Sequence, residues 1–281
     1  MKNVTLLLTA CVNPDGMSFT ALQNPIIRKE QYINALLYYI NNTELPIVFV
    51  ENTNSDFSNL FQYYIDNGRL EYLTFMGNNY PKCLGKGYGE AEIITYGLNN
   101  SRIIRETNYL IKITGRLIVR NINEIANNPI LRLSSRCIRF GFMSDTSIFS
   151  MCIVAPVGWI SDCISKYGNT INDSNKVYME HILYRYLIET EKHSIIPFFT
   201  PPQIEGVSGT SGKLYNIKSN VDSFLDSIYG LYVLFKKREI LRNSYAYIST
   251  SILLCYKIIY RSIPYLRKIR RTFERGRKLR I

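Results

Sequence analysis

The first 75 residues alternate strand and helix patterns, and that alternation limits the fold more than any other feature of this 281-residue chain. Residues 4–12 form a Leu/Thr/Val run of buried-strand type, closed by the turn cluster Asn13-Pro14-Asp15-Gly16. In residues 28–42 the positions Tyr32, Leu36, Tyr39 and Ile40 repeat at helical spacing. Residues 45–50 read as a second strand and 70–75 as a third. Between them, 56–67 reads as a helix with Phe57, Leu60, Phe61 and Tyr64 on one side. Strand, helix, strand, helix, strand is the pattern of a parallel sheet whose crossovers are helices.

Further along, residues 83–90 (CLGKGYGE) predict a Gly-punctuated loop with a helix after Glu90. Residues 108–119 predict a strand interrupted at Thr114-Gly115-Arg116. Residues 136–142 and 149–155 suit an antiparallel addition to the sheet. A helix is expected over 176–188, a Pro/Gly/Ser loop over 197–213, and helix from 221 onward with a kink at Pro264. The expected class is α/β: a mixed, mainly parallel sheet flanked by helices. A body over 1–220 is followed by a helical, basic extension over 221–281.

Charge divides the chain in the same way. Residues 236–281 hold 14 basic and 2 acidic side chains, whereas residues 1–235 hold 20 of each. The net charge of +12 therefore belongs to the tail, which argues against a DNA-binding body. The six cysteines show no CxxC or zinc spacing and suit a reducing compartment. The start MKNVTLLLTACVNP reads as a buried first strand rather than a signal peptide, because its apolar run is short and ends at Asn13-Pro14. The longest uncharged apolar stretch near the end, residues 244–256, is too short to span a bilayer.

Parallel α/β sheets bind ligands at the carboxyl ends of their strands. Here those ends carry Asn13, then Glu51, Asn52 and Asn54, then Gly77, Asn78 and Asn79, then Lys112 to Arg116. Such side chains suit a nucleotide base and ribose, or equally plain turns. Lys86-Gly87-Tyr88-Gly89-Glu90 suits a phosphate lying against a helix start, or equally a hinge loop. It lacks the spacing of a P-loop or of a dinucleotide fingerprint. Lys112, Thr114, Gly115 and Arg116 are the sharpest signal: two cations within an apolar run, placed to neutralise a diphosphate. Glu180, followed by His181 on an apolar helix, has the chemistry of a general base. Ser208 and Ser211, in the Gly/Ser-rich stretch 201–213, offer hydroxyl donors on a possible lid.

These pieces, in this order, resemble bacterial glycosyltransferases of the GT-A nucleotide-sugar fold, of the kind found in capsule and O-antigen gene clusters. The resemblance covers about residues 3–215. It rests on LLLTACVNP, KGYGEAE, YLIKITGR, YMEH and GVSGTSGKLY. It implies sugar transfer from a nucleotide-sugar donor to a hydroxyl of a glycan, a lipid-linked one for preference. It also implies that Glu180 is the base of an inverting displacement. GT-A enzymes usually hold a divalent metal on an acidic DxD pair. This chain has no DxD, so no cofactor is expected, with a divalent metal left open, and Lys86, Lys112 and Arg116 stand in the cation's role.

In the tail, Ile259, Ile263, Leu266 and Phe273 share one helical face and Arg/Lys cover the rest. That pattern suits attachment to an anionic membrane surface from the cytoplasmic side, with RNA as the competing partner. Two other functional classes fit the chain. One is a sugar nucleotidyltransferase, and the other a non-catalytic basic adaptor.

Overall fold

The computed structural model describes residues 3–215, except 129–130, 132–135, 145, 191–192 and 199. All of these lie in one compact unit, Met1–Ser227. The basic amphipathic segment 221–281, with the kink expected at Pro264, lies outside the described residues.

Four apolar runs build the centre of the sheet. They are β1 (Val4–Ala10), β2 (Ile47–Glu51), β3 (Leu70–Thr74) and β4 (Tyr109–Thr114). They pair in parallel in the order β4-β1-β2-β3, with Leu7 opposite Val48 on one side and Lys112 on the other. Leu6, Leu7, Leu8 and the run Ile47–Val50 are fully buried because helices cover both faces. Each wholly buried Leu or Val contributes about 2 kcal/mol by leaving water.

Helix α1 (Pro25–Asn42) covers one face, burying Tyr32, Leu36, Tyr39 and Ile40 against Leu6, Leu8, Phe49 and Ile111. It starts three residues earlier than the apolar spacing predicts. Asn24 caps it by accepting from the amides of Ile26 and Ile27, and Pro25 fills its first position. The helix expected over 56–67 is a 3₁₀ turn, Ser58–Phe61, running into the five-residue α2 (Gln62–Asp66). The Asp56 carboxylate takes the amide of Ser58 and shapes this entry, while Gly68 at φ 77° ends it.

Helix α3 (Gly85–Asn100) covers the other face. A Cβ on Gly97 would lie 3.1 Å from Val50 and 3.6 Å from Leu7, so this glycine sets how closely helix and sheet approach. The expected loop 83–90 is thereby corrected: from Gly85 on it is the start of a helix. The short α4 (Arg102–Arg105) follows, with Ser101 capping it and the Glu71 carboxylate accepting from the amides of Arg102 and Ile103.

Beyond β4 come β5 (Ile118–Val119), α5 (Ile122–Ala126), β6 (Cys137–Phe140), the hairpin β7 (Phe142–Ser144) and β8 (Ser147–Ile148), and β9 (Cys152–Pro156). Strand β9 runs antiparallel to β4 and to β6. The expected antiparallel addition is therefore one reversed strand, with β6 returning to the common direction. The elements that escaped the sequence reading include α5, α6 (Val157–Tyr167) and, after α7 (Met179–Glu189), β10 (Ser194–Pro197), which is parallel to β6. The full order is β10-β6-β9-β4-β1-β2-β3. The last described element, β11 (Ile204–Glu205), pairs antiparallel with β5 and carries the loop 206–215 back over the strand ends. Among the described residues, no helix is long and apolar enough to cross a membrane.

Candidate active site

A cleft of about 300 Å³ opens at the carboxyl ends of β1, β2 and β4. Its walls include Thr9 and Cys11 from β1 and the residue after it, Asn52 beyond β2, and Thr114 and Arg116 at and beyond β4. Lys86, Gly87, Gly89 and Glu90 come from α3, Glu180 from α7, and Gly209 and Thr210 from the returning loop. Topology thus gathers side chains from more than 200 residues of chain into one depression, where a parallel sheet places ligands.

Three charged groups have free chemistry there. Arg116 donates from Nη1 to Val207 O at 2.7 Å, while its Nε is buried with no hydrogen-bond partner. Gly209 lets the guanidinium lie flat against the loop, since a Cβ there would come within 2.6 Å of Nη2. Lys86 donates to Thr210 Oγ1. Although Lys86 keeps exposed surface, the protein crowded around it lowers its pKa. Desolvation is the main cause, offset in part by Glu180, Asp173 and Glu90. Glu180 is half-buried and accepts from Ser150 Oγ at 2.6 Å, which fixes one carboxylate oxygen and leaves the group facing the cleft.

Other expected site residues serve the fold. Lys112 is 2% exposed, bonded to Glu90 Oε1 and, at 2.7 Å, to Ser150 O. It does not line the cleft, and its charge is paired with a part-buried carboxylate. Glu90 does line the cleft, and its Oε1 also accepts from Thr9 Oγ1 at 3.0 Å. Glu51 is fully buried and accepts from the amides of Val12, Thr53 and Ser55 and from the hydroxyls of Thr53 and Thr74. It staples three strand ends and has no capacity left for a ribose.

Asn13 and Asn78 tie loops together, Asn78 Nδ2 donating to Asn13 O at 3.0 Å, and neither lines the cleft. His181 Nδ1 accepts from the amide of Tyr178 and closes the first turn of α7, so it acts as a cap beside Glu180 rather than in the cleft. Ser208 Oγ accepts from Ser211 N at 3.2 Å inside a turn. Their neighbours Gly209 and Thr210 line the cleft instead.

The glycines also serve packing. A Cβ on Gly89 would collide with Tyr80 Oη at 2.1 Å, and one on Gly87 would meet the amide nitrogen of Met179 at 3.3 Å. They let α3 pack tightly where it lines the cleft. Gly115 likewise allows the chain leaving β4 to cross β1, its amide bonding Thr9 O at 2.9 Å.

Two further polar groups shape the cleft: Asn52, one of the strand-end side chains that suit a base, and Arg28, which the pattern did not single out. Asn52 is 1% exposed, lines the cleft, and leaves both Oδ1 and Nδ2 unpartnered. Arg28, 6% exposed, clamps Cys11 O through Nε and Nη2 at 2.8 and 2.6 Å and so sets the end of β1. Its main partner, Cys11 O, lies 17 residues away just after β1, which no local pattern reveals.

A divalent metal of the kind GT-A enzymes hold needs several oxygen ligands converging on one point. Beyond β4 the cleft wall carries the Arg116 guanidinium, a cation rather than a ligand for one, and Lys112 and Thr9 already engage Glu90. Among the described residues no three acidic, His or Cys side chains gather to hold a metal.

No protein-family model matches the chain, and no curated protein matches it. Solved structures do. A putative nucleotide-diphospho-sugar transferase from Desulfovibrio desulfuricans is 12% identical, with a TM-score of 0.41, over 92% of this chain and 98% of that one. A cytidylyltransferase from Leptospira borgpetersenii is 13% identical, with a TM-score of 0.43, over 87% of this chain and 98% of that one. TarS of S. aureus in complex with UDP is 12% identical, with a TM-score of 0.41, over 94% of this chain and 73% of that one. Likeness this remote says nothing of substrate or mechanism, for which only the cleft itself counts.

Proposed function

We propose that the chain is a glycosyltransferase that moves a sugar from a nucleotide-sugar donor to a hydroxyl of a glycan. The observation that carries this reading is one cleft holding a half-buried carboxylate, Glu180, beside two cations, Lys86 and Arg116. Asn52, with its amide unpartnered, suits the edge of a nucleotide base, which offers both donors and acceptors. Lys86 and Arg116 suit the diphosphate. Glu180 takes the proton of the acceptor hydroxyl as that oxygen attacks the anomeric carbon. The bond from that carbon to the phosphate oxygen breaks, and its electrons leave on the nucleoside diphosphate, whose charge the two cations stabilise. Attack opposite the leaving group inverts the anomeric centre.

A glycan of surface polysaccharide, carried on a lipid and met at the cytoplasmic face of the membrane, is the acceptor that suits the basic, apolar-striped tail. The same two cations also suit a triphosphate. Pyrophosphate release from a nucleoside triphosphate plus a sugar phosphate would therefore favour nucleotidyl transfer instead. The test is turnover. With a nucleotide sugar selected by thermal shift, nucleoside diphosphate release is expected from the wild type and is expected to be lost in Glu180→Gln and Arg116→Ala, with melting unchanged. Full activity in both variants removes the assigned site.

A further inference from the structure

The cleft holds one more group, with no role in the reaction as written above. Asp173 sits in the 3₁₀ turn Asp173–Asn175, packed against the start of α3. It is 3% exposed, lines the cleft, and its Oδ1 has no hydrogen-bond partner. The start of α3 is shaped around it. A Cβ on Gly85, which sits at φ 81°, would lie 2.1 Å from Asp173 Oδ2, and one on Gly87 would lie 3.3 Å from Oδ1. Gly85 has no room for a side chain because this carboxyl is there, and its positive φ favours glycine as well.

Every charged or titratable neighbour can be named. Lys86 and the amides of Lys86 and Gly87 face Asp173 from α3, Glu180 from α7, and the Tyr80 phenol from the loop after β3. The turn at 82–84 touches the same segment through Ser174 Oγ, which donates to Cys83 O at 2.8 Å. The Lys82 ammonium of that turn is engaged by Asn78 O and Asp15. Burial pushes the Asp173 carboxyl up to about 6, against the pull of Lys86 and with the push of Glu180. A protein that keeps a buried, incompletely bonded carboxylate holds it at a cost to its own stability.

An ionised carboxylate only accepts hydrogen bonds. Its ligand must therefore bring O–H or N–H donors, and a phosphate, itself an anion, is excluded from Oδ1. Within a nucleotide sugar the hydroxyl-rich parts are the ribose and the transferred sugar. Asp173 feels Lys86, placed above at the diphosphate, and then Glu180, placed at the reacting carbon, and the transferred sugar is the hydroxyl-rich part that joins those two points. We propose that Asp173 is the residue that recognises the transferred sugar, its Oδ1 accepting from one or more of the sugar's hydroxyls. This rests on the nucleotide-sugar reading of the cleft.

Calorimetric titration of wild type and Asp173→Asn separates the two. The probes are a nucleoside diphosphate and the matching nucleotide sugar, chosen from a panel against the wild type. The variant should bind the nucleotide sugar about tenfold more weakly while its affinity for the nucleoside diphosphate stays the same or rises. It should also melt higher than wild type at pH 7, because an unfavourable buried charge is gone. Equal weakening of both ligands would move the contact to the ribose and overturn the assignment. So would unchanged binding of both, or a lowered melting temperature, which would mark Asp173 as a structural cap. If the wild type binds no member of the panel, the nucleotide-sugar reading itself falls, and this assignment with it.

Discussion

Two buried carboxylates at the same end of the sheet show how differently its two sides are built. Glu51, at the end of β2, accepts five hydrogen bonds and joins three strand ends. Asp173, across the cleft beneath α3, keeps one oxygen with no partner. Both are almost wholly buried, 0% and 3% exposed, so burial alone does not tell structure from function. What tells them apart is satisfaction. A carboxylate whose lone pairs are filled by its own chain has nothing left for a ligand, and one left open awaits something. The lysines repeat the lesson, Lys112 locked to Glu90 inside the sheet and Lys86 at the cleft.

The comparison breaks most easily on the open side. Glu180→Gln should lower turnover by about 10³-fold, the usual worth of a positioned base, with melting unchanged. A loss below about tenfold would take the base role away from it. On the satisfied side, Glu51→Ala should leave turnover unmeasurable for a different reason, destabilising the fold by about 3 kcal/mol as three backbone amides lose their acceptor. Denaturant titration measures this, and a loss under about 1 kcal/mol would mean that water replaces the carboxylate. Lys112→Met should cost about 2 kcal/mol, because it leaves the part-buried Glu90 without its partner and Ser150 O without its donor. If Lys112 instead held the donor, that variant would keep its stability and lose nucleotide affinity.

Much of this was legible in the sequence, and the failures have physical causes. The parallel half reads clearly because strands buried on both faces are uninterrupted apolar runs, as in Leu6–Leu8 and Ile47–Val50. Lys86, Arg116 and Glu180 stand out in the sequence as polar residues near strand ends or on an otherwise apolar helix, and all three line the cleft. The ion pair of Lys112 was not legible because its partner, Glu90, lies 22 residues away on a helix, and alternation along a strand does not say which polar side chain meets an opposite charge. The glycines at 87 and 89 record a need for closeness without saying to what. Here the close neighbours are Asp173, Met179 and Tyr80. Asn52 was legible as a polar strand-end residue, but the orphaned atoms of Asn52 and Asp173 exist only once the fold has formed around them.

The smallest expected effect concerns pH and the open carboxylate. Asp173 holds its proton more tightly in the folded state, burial pushing its pKa up to about 6 from the ordinary 3.8 of an aspartate. Its contribution to stability is therefore largest below about pH 4, declines as pH rises toward about 6, and is constant above. The difference in melting temperature between Asp173→Asn and wild type should grow between pH 4 and pH 6 and then level off. A flat difference across that range would mean that the carboxyl finds partners in solution.

The central claim is that the open side of the cleft binds a diphosphate through side-chain cations. Calorimetric titration of a panel of nucleoside diphosphates, with a chelator present, into wild type and into the double variant Lys86→Ala/Arg116→Ala tests it most directly. At least one diphosphate should bind the wild type and bind the folded double variant about 100-fold more weakly, roughly tenfold for each charge-assisted contact removed. No binding to the wild type across the panel, or equal binding to both proteins, would contradict it.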